Sequence, residues 1–367
     1  MRFEPLSEKE ILLWDAEITV KALQLDPDDP VAVIHDLAQA ILALDQGGMV
    51  PIGEPGYNST FFLRDTNGNV LWVFKPEDGE SAVCEGIQVG GGARREHVAS
   101  LLNYHHRYPI PFTAYVSLNG RVGSVQRFQN GCQTLSEIRD QIPGARHKVQ
   151  LPLKALQGLT LFDLRFGNCD RNSANILCHK SMSNDLVMDQ LFGIDHGSSM
   201  SSLASDPLLM DYLNIASVFL APMDHDLVTF IRAIDVEKDG KIMLDHGIGE
   251  EAVKLMKQST ALLQAAVALS ERSRNMGRAT LSLAEIAHII RWSRLHEGEN
   301  IVEDYLMLKD QINDMKNKGM LSAQNVYAMR RKRAFDKKNL RIDPFLFETL
   351  INNYCKCLTD RQILLYD

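Results

Sequence analysis

The first part of the chain has a helical hydrophobic period. In residues 7–25 and again in 31–48 the apolar positions recur every three or four residues, which predicts two amphipathic helices. The intervening run DPDDP at 26–30 breaks the first helix, and Gly47-Gly48 ends the second. The chain is therefore predicted to begin with a helical segment.

Two later segments show short apolar runs that are joined by Asn-Gly pairs. NSTFFLRDTNGNVLWVFKP (58–76) contains such a pair at 67–68, and FTAYVSLNGRVGSVQRFQ (112–129) contains one at 119–120. Asn-Gly favours two-residue hairpin turns, because both central residues of such a turn need a positive φ. Each segment is therefore predicted to be a β-hairpin, and an amphipathic helix over 91–108 is predicted between them.

After Leu135 the pattern becomes mainly helical, interrupted by short strands at NILCH and VMDQLFGID, and it is almost entirely helical from Asp224 to about Lys309. We therefore predict an α+β chain in which a strand-rich lobe with one helix precedes a helical lobe. The predicted domains are N-terminal helices at 1–48, an N-lobe at 49–135, a C-lobe at 136–312 and a basic helical extension at 313–367.

Composition narrows the class of protein. A formal net charge of -8 over 367 residues argues against a general nucleic-acid binder, which is normally basic. No apolar run is long enough to span a membrane, and the opening MRFEPLSEKE lacks the apolar region of a secretory signal. The six cysteines are scattered, which predicts reduced thiols and no zinc site. Together these features favour a cytoplasmic protein.

The densest cluster of candidate chemistry is FDLRFGNCDRNSANIL at 162–177, where an apolar frame encloses acids and amides. Asp170 and Asn175 have the D-x-x-x-x-N spacing of a kinase catalytic loop, and Asp195 in GIDHG resembles the later metal-binding aspartate. Phosphoryl transfer gathers negative charge, so metal ions must be held there by hard oxygen ligands. A β-hairpin between Asn175 and Asp195 would bring these ligands together.

Further parts of the same pattern lie upstream in the same order. Lys75 in VFKP ends a predicted strand, as a phosphate-binding lysine does, and Glu96 in the following helix could pair with it. Gly53 and Gly56 could cover phosphates with backbone N–H groups, and GSVQRF at 123–128 could meet an adenine between the lobes. Each part alone has an ordinary structural explanation; their number and order favour the functional interpretation.

At these residues the chain resembles the phosphatidylinositol 3-/4-kinase-like catalytic domain, most closely the type II and plant gamma phosphatidylinositol 4-kinases. The resemblance covers roughly residues 50–310 and includes the pattern D-x-R-x-x-N-x-D-R-x-x-x-N from Asp163 to Asn175. It implies a bilobal, protein-kinase-like fold and a kinase that uses ATP with Mg²⁺, or Mn²⁺ in its place. The stretches that carry it are VFKP, GGARREHVASLL, GSVQRF, FDLRFGNCDRNSAN, GIDHG and 230–263.

The resemblance also implies roles for single residues. Lys75 would contact the ATP phosphates, held by Glu96, and Asp170 would be the catalytic aspartate. The remaining implied roles are metal ligation by Asn175 and Asp195, an adenine hinge at Gln126, Arg127 and Phe128, and bracing of the loop by Asp163, Arg165 and Asn168.

The chain departs from the family pattern in three features. Many relatives have a histidine where this chain has Asn172, the loop with Gly53 and Gly56 is poor in glycine, and the cysteine-rich palmitoylation segment of animal type II enzymes is absent. Phosphate contacts in the glycine-poor loop and the route of membrane attachment are therefore not given by the resemblance.

The sequence is compatible with more than one acceptor of the phosphoryl group. Between His196 and Ile231 there is no Lys or Arg, which disfavours an acceptor with extra phosphates, since these normally meet basic side chains. Plain phosphatidylinositol fits, with the 4-hydroxyl as the expected site, and a protein Ser/Thr acceptor fits equally. A catalytically weak ATP-binding scaffold is the alternative from another class, although every metal and lysine position is filled.

The segment RRKRAFDKKNLR at 330–341 is strongly basic. It could contact an anionic membrane or an inositol phosphate, or a nucleic acid or host partner, and the ordinary alternative is a solvated helix face. A peripheral membrane position is compatible with it, and unfamiliar flanks would also suit a bacterial effector acting in the host-cell cytosol. Its candidate contacts are Arg330, Arg331, Lys332, Arg333, Lys337 and Lys338.

Overall fold

The structure is a computed structural model. It describes residues 4–9, 37–39, 41–43, 48–52, 60–80, 86–87, 89–141, 149–202 and 222–275, together with 282, 283, 286, 314 and 318. The chain divides into two compact units, the first comprising Met1–Leu209 with Asp235–Lys257 and the second comprising Met210–Ile234 with Gln258–Asp367. The predicted helix over 7–25, the glycine-poor loop and the basic segment at 330–341 lie outside the described residues, apart from the start of that helix.

A six-stranded sheet forms much of the first unit. Its strands are β1 (Leu6–Ser7), β2 (Met49–Pro51), β3 (Phe61–Arg64), β4 (Val70–Pro76), β5 (Thr113–Leu118) and β6 (Arg121–Arg127). They have the spatial order β1-β5-β6-β4-β3-β2, in which β1 pairs parallel with β5 and all other pairs are antiparallel. The strand β4, which carries Lys75, therefore lies beside β6, which contains the first two predicted hinge residues.

Both predicted hairpins are confirmed. The chain turns between β3 and β4 with Gly68 at φ 86°, and between β5 and β6 with Asn119 at 49° and Gly120 at 73°. Asn119 and Gly120 have the left-handed conformation of the predicted two-residue turn. In the first hairpin only the glycine of the Asn-Gly pair has it, and the loop is longer, since five residues separate Arg64 from Val70. One face of the sheet is a core that contains Leu63, Trp72, Phe74, Ala114, Val116 and Val125, all fully buried.

A glycine permits close packing of β4 against β6. A Cβ at Gly123 would lie 2.4 Å from the carbonyl oxygen of Lys75 and 2.7 Å from Pro76 Cα. Any larger residue would therefore push apart the two strands that align Lys75 with the start of the hinge segment.

The helix predicted at 91–108 is shorter than expected. Helix α1 spans Gly92–Leu101, and the chain then turns because the side-chain oxygen of Asn103 accepts a hydrogen bond from the backbone N–H of Tyr108 at 2.9 Å. A side chain that satisfies the backbone in this way competes with further helix. The helix packs against the sheet, where the His97 ring donates from Nδ1 to the Thr113 carbonyl at 2.9 Å.

The rest of the first unit contains a three-stranded antiparallel sheet in the order β7-β8-β9. The predicted strands at NILCH and VMDQLFGID are β8 and β9 of this sheet. The elements are β7 (Cys132–Thr134), α2 (Leu135–Gln141), α3 (Leu153–Phe166), β8 (Ile176–Ser181), β9 (Asn184–Gly193) and α5 (Val236–Asp245).

The described part of the second unit is helical. It contains α4 (His225–Ala233) and most of α6 (Glu250–Asn275), with Gln264 donating to the Ile231 carbonyl at 3.1 Å. None of the described helices is both long and apolar enough to cross a membrane. The mixture of helices and antiparallel sheets agrees with the α+β prediction, whereas the bilobal arrangement stays a prediction.

Candidate active site

Helix α3 delivers the candidate catalytic loop. Eleven of its residues, from Leu156 to Phe166, are buried, and the helix ends at Gly167 in the left-handed conformation with φ 64° and ψ 49°. The N–H groups of Gly167 and Asn168 both point to the Asp163 carbonyl, which closes the helix end. The loop thus leaves a fixed, fully packed helix terminus.

Arg171 is the centre of the loop. Its guanidinium donates to both carboxylate oxygens of Asp163, at 2.9 Å and 3.2 Å, and neither side chain is exposed. It also donates to the carbonyl oxygens of Asn175 at 2.6 Å and Ile194 at 2.5 Å. One buried cation therefore joins the end of α3, the candidate metal ligand and the strand that precedes Asp195.

His196 completes this buried network. Arg171 can only donate, so His196 Nδ1 accepts from it at 3.2 Å, and Nε2 carries the proton that is donated to the Gly193 carbonyl at 3.1 Å. Burial, and then the neighbouring Arg171 charge, hold the pKa of His196 well below its usual 6.5. The histidine is therefore neutral.

Sequence reasoning missed the roles of Arg171 and His196. A signal was nevertheless present, because Asp163 and Arg171 are opposite charges within an apolar frame, where burial of either requires a partner. No comparable signal linked His196 to Arg171, since the two residues meet only through the hairpin between them.

The three residues expected to brace the loop make internal contacts. Asp163 pairs with Arg171. Arg165 is 1% exposed and donates to Tyr108 Oη at 2.6 Å and to Asp239 Oδ2 at 2.5 Å. Asn168 is fully buried and accepts from the N–H of Asp170 at 2.9 Å. Cys169, which lies between Asn168 and Asp170 in the sequence, is buried and disulfide-bonded, so the expectation of reduced thiols is wrong at this position.

Asp170 and Asn175 are brought together within the loop. Asn175 donates from its side-chain nitrogen to the Asp170 carbonyl at 2.7 Å and to Asp170 Oδ2 at 3.2 Å. These bonds use only the amide nitrogen, so the side-chain oxygen of Asn175 is the group that could serve as a metal ligand. Asn172 donates to the other carboxylate oxygen, Asp170 Oδ1, at 3.0 Å.

The hairpin of β8 and β9 brings Asp195 to this loop. Ile176 pairs with Gly193, and the N–H of Ile194 donates to the Asn175 carbonyl at 3.1 Å. Asp195 follows directly, in the left-handed conformation with φ 58° and ψ 64°, and its side chain is 43% exposed. A residue in the left-handed conformation that presents a partly exposed carboxylate at the end of a hairpin is suited to hold a ligand.

Lys75 lies between two carboxylates from different elements. Its Nζ is 2.7 Å from Glu96 Oε1 and 3.5 Å from Asp195 Oδ1, so the predicted pairing of Lys75 with Glu96 is present and includes Asp195. Burial alone would lower the pKa of Lys75, but the charges of Asp195 and Glu96 outweigh it and raise the pKa above its usual 10.5. The lysine is therefore a fixed positive charge.

Helix α1, which carries Glu96, is held at its start and through the buried side chain of Arg95. The carboxylate of Glu80 accepts from the N–H groups of Gly90, Gly92 and Ala93, each at 2.9 Å. In the run Gly90-Gly91-Gly92, the N–H groups of the first and third glycines are therefore bound by an internal carboxylate. Arg95 donates to the Gly197 carbonyl at 2.5 Å, which ties the helix to the segment after Asp195.

Two of the predicted hinge residues, Gln126 and Arg127, end β6, and Phe128 follows it. Gln126 is buried and donates to Thr113 Oγ1 at 3.3 Å, while the N–H groups of Arg127 and Phe128 donate to the carbonyls of Phe112 and Leu71, both at 2.9 Å. These three groups are thus committed to internal bonds. Gly53 and Gly56, and the basic residues from Arg330 to Lys338, lie outside the described residues.

The donor set fits Mg²⁺. Among the described residues no group of three His, Cys, Asp or Glu side chains could hold a metal ion alone. Nucleotide-bound Mg²⁺ does not require one, because it binds through one or two carboxylates together with waters and phosphate oxygens. The amide oxygen of Asn175 and the carboxylate of Asp195, whose side chain is 43% exposed, are hard ligands of this kind.

Comparisons with known proteins agree with the motifs. Phosphatidylinositol 4-kinase gamma 2 of Arabidopsis thaliana is 25% identical over 293 residues, which cover 66% of this chain and 51% of that protein. Phosphatidylinositol 4-kinase gamma 4 of Oryza sativa subsp. japonica is 26% identical over 272 residues, covering 64% and 45%. The resemblance to plant gamma phosphatidylinositol 4-kinases is confirmed. The chain spans about half the length of these curated relatives.

Two other comparisons add little. No protein-family model matches the chain. A crystal structure of a Helicobacter pylori proinflammatory kinase, CtkA, aligns with 68% of this chain and 97% of its own at 14% identity and a TM-score of 0.35. A TM-score that low does not establish a shared fold.

Proposed function

We propose that this chain is an ATP- and Mg²⁺-dependent kinase with the bilobal fold of the phosphatidylinositol 3-/4-kinases. The observation that carries the proposal is that Lys75 Nζ lies 2.7 Å from Glu96 Oε1 and 3.5 Å from Asp195 Oδ1, while Ile194, directly before Asp195, is hydrogen-bonded to Asn175 in the loop of Asp170. These residues come from four separate elements, so their meeting is not a consequence of sequence spacing. The similarity in sequence to plant phosphatidylinositol 4-kinases supports the same function.

In this proposal each side chain has one task. Lys75, kept charged and positioned by Glu96, binds phosphate oxygens of ATP. Asp170 accepts the proton of the acceptor hydroxyl as that oxygen forms its bond to the γ-phosphorus and ADP leaves. When bound by Asn175 and Asp195, Mg²⁺ supplies charge neutralisation at the β- and γ-phosphates. The segment Gln126–Phe128 lies beside the adenine.

We propose phosphatidylinositol as the acceptor, at its 4-hydroxyl. The names of the curated relatives support a phosphatidylinositol acceptor, and the lack of Lys and Arg between His196 and Ile231 disfavours a more highly phosphorylated lipid. The lobes would be 49–135 and 136–312, flanked by 1–48 and 313–367. The protein would act in the cytoplasm at a membrane surface, with the basic residues at 330–338 meeting anionic lipid.

The test is transfer of labelled phosphate from ATP to vesicles of phosphatidylinositol, to vesicles of phosphatidylinositol 4-phosphate and to a mixture of proteins. We expect label only in the first lipid, lost by at least about a thousandfold in Asp170→Ala and Asp195→Ala and about a hundredfold in Lys75→Met. Asp245→Ala and Lys241→Met remove an exposed ion pair on α5 and should leave the rate unchanged.

The outcomes separate the candidate functions. Label that appears only on protein would overturn the lipid acceptor in favour of a protein kinase. Absence of ATP binding by calorimetry in the presence of Mg²⁺ would reject the kinase altogether. Binding without transfer to any acceptor would identify an ATP-binding scaffold.

A further inference from the structure

Both ends of the Asn172 amide take part in hydrogen bonds. The nitrogen donates to Asp170 Oδ1 at 3.0 Å. The oxygen accepts from the N–H of Ala174 at 2.9 Å and thereby caps the short 3-10 turn Ser173–Asn175. One side chain therefore contacts the candidate catalytic carboxylate and the turn that carries the candidate metal ligand.

The carboxylate of Asp170 is held from two directions. Asn172 donates to Oδ1, and Asn175 donates to Oδ2 at 3.2 Å. Rotation of the carboxylate about its Cβ–Cγ bond would break both hydrogen bonds. Each carboxylate oxygen accepts more than one hydrogen bond, so a lone pair is still free to receive a proton from an acceptor hydroxyl, in a direction that the two amides determine.

The chemistry of an amide defines what this position can contribute. An asparagine side chain does not take up a proton at neutral pH, whereas a histidine at the same place could. In the segment 168–175, which reads NCDRNSAN, Asp170 is the single side chain that can accept a proton, because Arg171 is a buried cation and Cys169 is disulfide-bonded.

We propose that Asn172 is a positioning residue that orients the Asp170 carboxylate for proton transfer through its amide nitrogen, while its amide oxygen holds the turn of Asn175. This inference rests on the proposed kinase function. The acceptor proton goes to Asp170 directly, and Asn172 contributes orientation without itself exchanging a proton.

The two ends of the amide can be tested separately. Asn172→Ser and Asn172→Asp both keep an oxygen that can cap the Ala174 N–H, but neither donates to Asp170 as the amide does. We expect Asn172→Ser to lower kcat by roughly ten- to a hundredfold, the size of a lost hydrogen bond to a charged group. Asn172→Asp should lower it further, because it places a second negative charge beside the first. The KM for ATP should change less than about twofold.

The Asn172→His variant tests whether a different donor can replace the amide nitrogen. Asn172→His caps poorly but can donate from its ring, so its kcat should stay within about threefold of the unsubstituted protein. If the role were only that of a cap, the order would be inverted: the Ser and Asp variants would be fully active and the His variant impaired. That inverted order would overturn the proposal.

A matched control is available on the hairpin. Asn184 also caps a backbone group two residues ahead, accepting from the N–H of Leu186 at 2.8 Å, but it is exposed and is the first residue of β9, at the far end of the hairpin. Asn184→Ser should leave kcat unchanged. A loss in Asn184→Ser equal to that in Asn172→Ser would show a general effect on the hairpin and would also overturn the proposal.

Failure of the kinase function would be distinguishable from failure of this inference. If the unsubstituted protein transfers phosphate to no acceptor, the proposed function fails. The positioning role is then decided by crystal structures of the unsubstituted protein and Asn172→Ser. We expect the Asp170 carboxylate to rotate away from its position in the variant while the 3-10 turn remains. An unmoved carboxylate would reject the role of Asn172.

Discussion

The candidate site is built from two regions of different construction. The loop from Asp163 to Asn175 is stabilised within itself: its ion pair joins Asp163 and Arg171, eight residues apart, with both side chains fully buried. The cluster of Lys75 and its carboxylates joins residues that are 21 and 120 positions apart, and Lys75 is 25% exposed. One region is a packed local unit, and the other is an assembly of three elements.

This difference separates two contributions to a phosphotransfer site. Buried charges have a large cost unless they are paired, so the loop must keep its geometry whenever the protein is folded. Lys75 is partly exposed, so solvent weakens the contribution of its ion pairs to stability, and the cluster depends on where α1 and β4 are placed by other contacts. We therefore expect substitution of the buried Asp163–Arg171 pair to act mainly on folding, and substitution of Lys75 to act mainly on activity.

The largest expected effect is the loss of Arg171. Arg171→Met leaves the Asp163 carboxylate buried without its cation, and removing one partner of a buried pair typically costs about 3–5 kcal/mol of unfolding free energy. Urea denaturation followed by circular dichroism measures this. Arg121→Met is the control, because its pair with Asp78 is exposed on both sides and should contribute less than about 1 kcal/mol.

Equal losses in the two variants would contradict this picture. They would mean that the buried network of the loop contributes no more to stability than a surface ion pair does. The proposed difference in stability between the two regions would then be wrong.

The next effect is a dependence of stability on pH, since each region contains one buried neutral histidine. Burial lowers the pKa of His97 on α1 to about 4, and the pKa of His196 is also lowered. The unfolded chain therefore binds more protons below pH 6.5, so stability is highest above that pH and falls as the pH decreases. By pH 4 the lowered pKa of His97 alone decreases the free energy of unfolding by about 3 kcal/mol.

His97→Asn tests this assignment. The Asn amide can donate to the Thr113 carbonyl as the His97 ring does, but it does not titrate, so the decline in unfolding free energy from pH 7 to 4 should become shallower. His246, whose ring lies 5.7 Å from that of His97, is unchanged in the variant. The exposed His225→Asn should leave the slope as it was; an unaltered slope in both variants would show that His97 titrates normally.

The elements that the sequence predicts well are those determined by neighbouring residues. The two hairpins follow from Asn-Gly pairs, and the pairing of β8 with β9 follows from two apolar runs. The meeting of Asp170 with Asn175 follows from their spacing in a short loop. In each case the physical cause is turn chemistry or local hydrogen bonding.

The features that sequence reasoning missed depend on hydrogen bonds of individual side chains. The end of α1 at Leu101 is set by Asn103 and Tyr108, whose competing hydrogen bond a hydrophobic period does not register. The role of His196 depends on Arg171 across a hairpin. The capping of the triple glycine by Glu80 likewise joins residues 10 to 13 positions apart across a loop.

The smallest expected effect is that of substituting Glu80, and it tests the cluster of Lys75 and its carboxylates. Glu80→Gln removes a negative charge from the positive N-terminus of α1 and leaves one acceptor oxygen where there were two. We expect a loss of about 1 kcal/mol in unfolding free energy. Because α1 carries Glu96, the Lys75 cluster should loosen as well, with a decrease in kinase rate of less than about tenfold.

The matched control is Glu250→Gln, which removes an exposed carboxylate from the first turn of α6 and should change neither property by more than the helix-dipole contribution of about 0.5 kcal/mol. Denaturation and rate are measured on the same preparations. A Glu80→Gln variant that loses stability but keeps its full rate would show that Glu96 is positioned independently of the helix start. Arg95, which ties α1 to Gly197, would then be the contact that aligns the lysine.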